Sequence, residues 1–256
     1  MRFMLVFGLL GMFLAALAVR LARDAHGAWW WLVGTESYFA SCFLAVAAIY
    51  GLRTVGLSVE DIPRRSIGSF ILRAVLLPYL ALGGATLYFA RWFDSEGLLN
   101  PVVPGLCIGR LPFLWERTRV RDAGVQAVLN LCWEFPRLSS VDRDSGLEAA
   151  HVPILDGSAP MERQFQAAVE VVMRWHATGR CVLIHCAQGH GRTATIAAAV
   201  LARLELAADA EDALSRIRAV RSFAIPSREQ KAALIRYLAS TRIKGNTSIL
   251  SQTEKP

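Results

Sequence analysis

The placement of charged residues divides the chain into two parts. Three stretches without a charged residue lie in the first third of the sequence, and each has about 16 or 17 residues. That length is close to the minimum for crossing a bilayer as a helix. Arginines flank the first and third stretches, where long side chains can reach the headgroups and lengthen the effective span. The pattern predicts a membrane region over residues 1–96, with transmembrane helices at about residues 3–19, 28–52 and 70–92.

Two alternatives apply to this region. Apolar helices of this length also occur in the core of large soluble proteins. In addition, the small residues at positions 16–18 resemble a cleavage site, so residues 1–18 could be a removed signal peptide. Trp29, Trp30 and Trp31 instead suit a membrane interface. We therefore expect a multi-pass protein of a plasma membrane, or of an inner membrane in a bacterium.

The arginines that flank the apolar stretches do not decide the orientation. Five lie on one side of the predicted membrane, at positions 2, 53, 64, 65 and 73, and three lie on the side of the C-terminal part, at positions 20, 23 and 91. Positively charged loops favour the cytoplasm, so a literal count places the C-terminal part outside it. A margin of two charges leaves the side open.

From about residue 97 the pattern changes to short apolar runs that alternate with helical periodicity. The runs predict strands at residues 106–108, 125–131, 152–155 and 181–185, and the periodicity predicts helices at residues 161–177, 192–206, 211–220 and 228–239. This alternation is typical of an α/β fold with a mostly parallel sheet flanked by helices. We predict such a domain over residues 97–243, followed by a polar, disordered tail at residues 244–256.

Composition and charge narrow the classes of partner. The chain is 54% hydrophobic and only 19% charged. These values disfavour both a disordered protein and an ordinary soluble one. A net charge of +7 fits nucleic acid, anionic lipid or a phosphorylated substrate. The basic residues are scattered without interleaved aromatic residues, so no nucleic-acid partner is expected. Five cysteines without a C-x-x-C pair argue against a disulfide scaffold and a zinc ribbon, and we expect no metal.

The chemistry is concentrated in residues 181–195, which run from a strand through a glycine-containing loop into a helix. Backbone N–H groups around Gly189 and Gly191 can turn inward and, with the helix N-terminus, bind an anion such as phosphate. Cys186 opens the loop, where the same positive field favours the nucleophilic thiolate. Arg192 closes it with a planar fork that can hold two phosphate oxygens.

Two neighbouring side chains support this chemistry. Thr193 can donate a hydrogen bond to the Cys186 sulfur and help it to leave in a second step, and His185 can fix the loop from the end of the strand.

These residues match the signature H-C-x5-R-[ST], so the chain resembles the cysteine-dependent protein tyrosine phosphatase superfamily, and in particular its dual-specificity branch. The resemblance covers about residues 97–239 and implies hydrolysis of phosphomonoesters through a phosphocysteine intermediate, without a cofactor. It further implies that the phosphate is bound by the loop residues Cys186, Ala187, Gln188, Gly189, His190, Gly191 and Arg192.

Such an enzyme protonates the leaving oxygen from an aspartate on a separate loop. Asp156 is our candidate, because it follows a predicted strand and precedes Cys186 at a spacing that resembles the dual-specificity branch. It would then act as the base in the second step. Asp142 and Asp144 are rivals in an earlier polar loop, and Asp156 could instead cap the next helix or close a turn. Gln230 is a candidate for orienting water, or an exposed helical residue.

The substrate is less clearly indicated. We expect a phosphotyrosyl, phosphoseryl or phosphothreonyl protein, with a lipid phosphate such as phosphatidylglycerophosphate as the alternative. Family members that act on multiply phosphorylated inositol lipids commonly carry lysines in the loop, where this chain has Ala187 and His190. A highly anionic headgroup is therefore less well matched. Two further alternatives are an inactive module that only binds phosphate, and another enzyme that uses a cysteine to react with an anion, such as a rhodanese or an arsenate reductase. The sequence does not indicate an oligomeric state.

Overall fold

The computed structural model describes residues 2–57, 66–93, 96–135 and 146–253, with side chains up to residue 241. The chain divides into two compact units, Met1–Asp94 and Ser95–Pro256. The first unit contains four helices in its described part: α1 Arg2–Asp24, α2 Trp29–Thr54, α3 Ile67–Val75 and α4 Leu77–Phe93.

Two of these helices, α1 and α2, are long and apolar enough to cross a membrane. They pack closely because Gly11 leaves no side chain between them: a Cβ there would lie 2.8 Å from Cγ of Leu44. Small residues at such a contact are typical of helices that pack within a membrane. The ring of Phe7 stacks on that of Phe43 with centroids 5.9 Å apart.

The third predicted helix is not continuous. It is divided into α3 and α4, which meet at a bend of 62° and can count as one span only together. Pro78 explains the break, because proline has no N–H and its ring clashes with the preceding turn. The carbonyl of Ala74, four residues earlier, accepts a hydrogen bond from the Tyr38 hydroxyl instead. The described residues thus contain two candidate spans, or three if the bent pair counts as one, where the sequence predicts three.

The second unit is an α/β domain with a five-stranded sheet in the order β1-β2-β5-β3-β4. The strands are β1 Leu99–Val103, β2 Leu106–Arg110, β3 Ala127–Cys132, β4 Glu148–Ile154 and β5 Val182–Cys186. β1 pairs with β2 antiparallel, and the other pairs are parallel. The mostly parallel sheet predicted from the sequence is confirmed. The edge strand β1 is an addition; it contains Pro101, which an edge position tolerates.

In the described part of this unit, five α-helices accompany the sheet: α5 Arg117–Asp122, α6 Glu162–Ala177, α7 Gly191–Arg203, α8 Ala210–Val220 and α9 Arg228–Thr253. The strand β5 is buried along its whole length, and so is the stretch of α7 from Arg192 to Leu201. Small residues in α7, such as Ala197 and Ala198, let this helix pack closely on the sheet.

The last helix is longer than predicted. The sequence predicts an end at Ala239 and a disordered tail from residue 244, whereas α9 continues to Thr253. No proline interrupts it before that residue, so its backbone hydrogen bonds can continue without a periodic apolar face.

Candidate active site

The loop between β5 and α7 lies at the centre of the sheet. β5 is flanked by β2 and β3, so Cys186 ends the middle strand at the carboxyl edge, where open α/β sheets commonly bind ligands. The thiol is buried, with 4% of the residue exposed. Gly189 has φ of +77°, and a Cβ there would collide with the carbonyl of Gly109. Glycine alone readily adopts this positive φ and has no Cβ to collide, so this position allows the loop to pack closely on the end of β2.

Arg192 is held at the end of this loop by oxygen atoms of three residues, one after β3 and two at the end of β4. Its Nη1 and Nη2 donate to the two carboxylate oxygens of Glu134 at 2.9 and 2.6 Å, and Nη1 also donates to the carbonyl of Ile154 at 2.9 Å. Nη2 lies 2.9 Å from Oδ1 of Asp156. Burial disfavours the charged guanidinium, but these neighbours raise the pKa of Arg192 further above its ordinary value. The site therefore contains a fixed positive charge.

Glu134 is a residue that the sequence reasoning missed. It follows β3 in a turn that Asn130 shapes, because the Asn130 side chain donates to the carbonyl of Phe135 at 2.9 Å and accepts from the N–H of Cys132 at 2.8 Å. Both groups of this buried amide are thus engaged within the turn. The available signal was an acidic residue just beyond a buried strand, at the edge of the sheet where Cys186 was expected.

Asp156 lies where the sequence reasoning expected it, two residues beyond β4, and its ion pair with Arg192 brings it to the loop. Its side chain is 56% exposed and so can be reached by a bound molecule. Asp156 does not cap α6, because that helix begins after Met161, whose N–H donates to Oε1 of Gln164 at 2.9 Å. The rivals Asp142 and Asp144 lie outside the described residues.

His185 and Thr193, which flank the loop along the chain, are both buried. Nδ1 of His185 lies 3.3 Å from the carbonyl oxygen of Cys186, and as the donor it fixes the start of the loop. Burial, assisted by the charge of Arg192, lowers the pKa of His185 to about 4. The Thr193 hydroxyl makes no hydrogen bond with any described residue, so its bond to the Cys186 sulfur stays a prediction.

A second group of side chains supports the outer part of the loop. Nε2 of His190 lies 3.0 Å from Oε2 of Glu96, and Arg221 donates through Nη2 to the carbonyl of Gln188 at 2.8 Å. The sequence reasoning identified neither Glu96 nor Arg221 as a partner of the loop, since both are distant from it along the chain.

Gln230 is buried, which excludes the exposed helical residue that the sequence left open. Its Nε2 donates to the carbonyl of Ser158 at 3.0 Å, and its Oε1 accepts from the N–H of Ser227 at 2.9 Å. A Cβ on Gly191 would lie 2.6 Å from that oxygen. Gln230 thus joins the segment after Asp156 to the start of α7 and the start of α9.

Within the described residues, no group of three or more His, Cys, Asp or Glu side chains could hold a metal ion.

Comparison with known proteins gives a consistent result for the second unit. A family model described as "Polymorphic toxin system, DSP-PTPase phosphatase" matches residues 116–205. Human dual specificity protein phosphatase 12 is 30% identical over 113 residues, covering 44% of this chain and 33% of that protein. Human phosphatidylglycerophosphatase and protein-tyrosine phosphatase 1 is 27% identical over 127 residues, covering 47% of this chain and 63% of that protein. The chain thus spans less than two thirds of either relative.

Solved structures agree on the fold. The active form of Tk-PTP is 26% identical, with a TM-score of 0.52, and the match covers 56% of this chain and 97% of that one. PTPMT1 is 22% identical, with a TM-score of 0.53 and coverage of 58% and 99%. Its complex with PI(5)P gives a TM-score of 0.54 at the same identity and coverage. At 22% identity the PTPMT1 structures support the fold alone.

Proposed function

We propose that this chain, whose second unit is a dual-specificity or tyrosine phosphatase-like domain, is a membrane-anchored phosphatase that hydrolyses phosphomonoesters through a phosphocysteine intermediate. One observation carries the proposal: Arg192, six residues after Cys186, forms an ion pair with Asp156 from a separate strand end. The nucleophile, the phosphate-binding cation and the general acid thus belong to one site.

In the first step, the phosphate takes the place of the Asp156 carboxylate on Nη2 of Arg192 and is held there and by loop N–H groups, and the Cys186 thiolate attacks phosphorus. The S–P bond forms as the ester P–O bond breaks, and Asp156 gives its proton to the leaving oxygen. Arg192 stabilises the charge on the equatorial oxygens during the transfer. Glu134 acts through Arg192 by holding the plane of the guanidinium.

In the second step, water attacks phosphorus and the S–P bond breaks. Asp156, now a carboxylate, takes the proton from that water, and the sulfur leaves as a thiolate. Thr193 is suited to assist this departure, because its buried hydroxyl is free among the described residues to turn towards the sulfur. His185 keeps the start of the loop in place and is neutral at pH 7, as its lowered pKa requires.

We propose that the first unit anchors the protein by crossing the membrane more than once. Support comes from α1 and α2, each with the length and apolar surface of a span, and from α3 and α4 as a bent pair.

Phosphotyrosine, phosphoserine and phosphothreonine in proteins are the proposed substrates. A lipid phosphate is the second candidate, because exposed apolar side chains occur on two segments beside the loop. Leu114 and Trp115 follow Leu111, whose N–H donates to the carbonyl of Ala187 at 3.1 Å. Phe223 is 56% exposed, and its ring centroid lies 6.0 Å from that of His190.

The proposal is tested with the full-length protein and a generic aryl phosphate. Cys186→Ser removes the nucleophile and should lower kcat by at least about a thousandfold while phosphate still binds. Cys181→Ser, at the opposite end of β5, is the matched control and should retain activity. Turnover by Cys186→Ser at the wild-type rate would refute the mechanism. Comparing phosphopeptides with a lipid phosphate in vesicles then decides between the two substrate classes.

A further inference from the structure

The carboxylate of Glu96 is buried against the outer side of the candidate phosphate loop. Its side chain is only 8% exposed. Oε2 lies 3.0 Å from Nε2 of His190 and 3.1 Å from Nε of Arg221. Oε1 accepts from the N–H of Phe223 at 2.8 Å and from the Ser222 hydroxyl at 3.4 Å. One carboxylate therefore joins the loop to the segment between α8 and α9.

Arg221 extends this connection to a second loop residue. It is almost completely buried, and its Nη1 donates to the carbonyl of Gly97 at 2.9 Å and to Oδ1 of Asn100 at 2.8 Å. Its Nη2 donates to the carbonyl of Gln188 at 2.8 Å. Because a buried guanidinium needs a negative partner, the carboxylate of Glu96 compensates the charge of Arg221 at this position.

The hydrogen bond to Gln188 has a consequence for anion binding. In a trans peptide, the carbonyl of one residue and the N–H of the next point in opposite directions. When Arg221 holds the carbonyl of Gln188 on one side, the N–H of Gly189 is turned to the other. The orientation of one of the loop's N–H donors is thus set by a side chain that belongs to another part of the fold.

We propose that Glu96 is a positioning residue for the phosphate loop, acting through Arg221 on the Gln188–Gly189 peptide and directly on His190. The proposal rests on the proposed function, since it assigns how the same loop obtains its affinity for phosphate. Glu96 follows the last residue of α4, Phe93, by three positions.

The test compares Glu96→Ala and Glu96→Gln with wild type in the full-length protein. Glu211→Gln is the matched control, because Glu211 also pairs with two cations, Arg218 and Lys231, on an exposed surface of the same unit. Binding of inorganic phosphate is measured by calorimetry in a Cys186→Ser background, and kcat and KM are measured on an aryl phosphate with Cys186 intact.

We expect Glu96→Ala to weaken phosphate binding and raise KM by about tenfold or more, because a buried charge-assisted contact is lost. The value of kcat should change by less than about threefold, since the contacts of Arg192 with Glu134 and Asp156 remain. Glu96→Gln keeps an acceptor for the N–H of Phe223 and should have an intermediate effect. The control should match wild type in both measurements.

Unchanged phosphate affinity and KM in both variants would overturn the proposal, and so would a loss confined to kcat. If Glu96→Ala does not fold, the near-isosteric Glu96→Gln decides by the same criteria. Failure of the proposed function can be distinguished from failure of the proposal for Glu96, because phosphate binding to the Cys186→Ser protein does not depend on hydrolysis. Turnover by that protein would reject the mechanism and leave the effect of Glu96 on anion binding measurable.

Discussion

Arg192 and Glu134 are 58 residues apart in the sequence and form a bidentate ion pair, with N–O distances of 2.9 and 2.6 Å. Both side chains are nearly buried, at 2% and 8% exposure. Breaking such a pair by removing one partner is costly, because the other charge stays buried without compensation. Glu134 therefore stabilises the fold and fixes the plane of the guanidinium.

Replacing Glu134 should affect stability and catalysis together. Glu134→Ala is expected to lower the free energy of unfolding by about 3 kcal/mol or more, and Glu134→Gln by about 1–3 kcal/mol because one acceptor remains. We expect kcat/KM of Glu134→Gln to fall about tenfold or more, because the plane of Arg192 is no longer fixed. Thermal unfolding and aryl phosphate kinetics measure both effects. Glu148→Gln, which disrupts an exposed pair with Arg180, serves as the control, and equal effects in the two variants would contradict the assignment.

Asp156→Asn should separate substrates by their leaving groups. The variant cannot donate the proton, so kcat on a phosphothreonyl peptide should fall by about a hundredfold or more. The leaving group of an aryl phosphate with a low pKa needs little protonation, so kcat of the variant on that substrate should fall less. Asp122→Asn, at an exposed position at the end of α5, is the control. An identical loss on both substrates would mean that Asp156 acts through Arg192 and not as the general acid.

Gly189 and Gly179 provide a matched pair for testing the packing of the loop. Both have positive φ, +77° and +75°, but a Cβ on Gly179 would meet nothing within 4 Å. Gly179→Ala should therefore cost only the backbone strain of about 1–2 kcal/mol and keep its phosphate affinity. Gly189→Ala should be less stable and bind phosphate more weakly, because the loop must move away from Gly109. Thermal unfolding and phosphate calorimetry make the comparison, and equal behaviour of the two variants would exclude the close contact as the cause.

His185 should make stability depend on pH below neutrality. Its pKa is lowered from 6.5 to about 4 by burial and by Arg192, so the folded chain keeps the ring neutral where the unfolded chain takes up a proton. The free energy of unfolding is therefore highest above about pH 6.5. It decreases by up to about 3 kcal/mol as the pH falls towards 4. Thermal unfolding between pH 7.5 and pH 4.5 measures the loss. His185→Gln, which has no titrating ring, should give a flatter profile, and parallel profiles would refute the prediction.

The features that could be predicted from the sequence are local ones. The loop from Cys186 to Arg192 was predictable because seven consecutive residues contain the cysteine, the two glycines and the arginine of the signature. The helices α1 and α2 were predictable because the bilayer requires a continuous apolar length, and Pro78 was a readable signal for the break before α4. The expected position of Asp156 also followed from local order, as a residue just beyond a strand.

Only the tertiary structure decided which side chains hold the loop. His190 and Glu96 are 94 residues apart in the sequence, and Arg221 and Gln188 are 33 apart. The order β1-β2-β5-β3-β4, with β1 antiparallel to β2, places the start of β1 near Glu96 beside the carboxyl ends of β2 and β5, and Arg221 follows α8, which packs against β1. Side-chain type and spacing carry no information about such an order. The sequence by itself therefore determined the signature loop from Cys186 to Arg192, the candidate acid Asp156 and the apolar helices, whereas the packing of distant segments determined Glu134, Glu96 and Arg221 as supports of the loop.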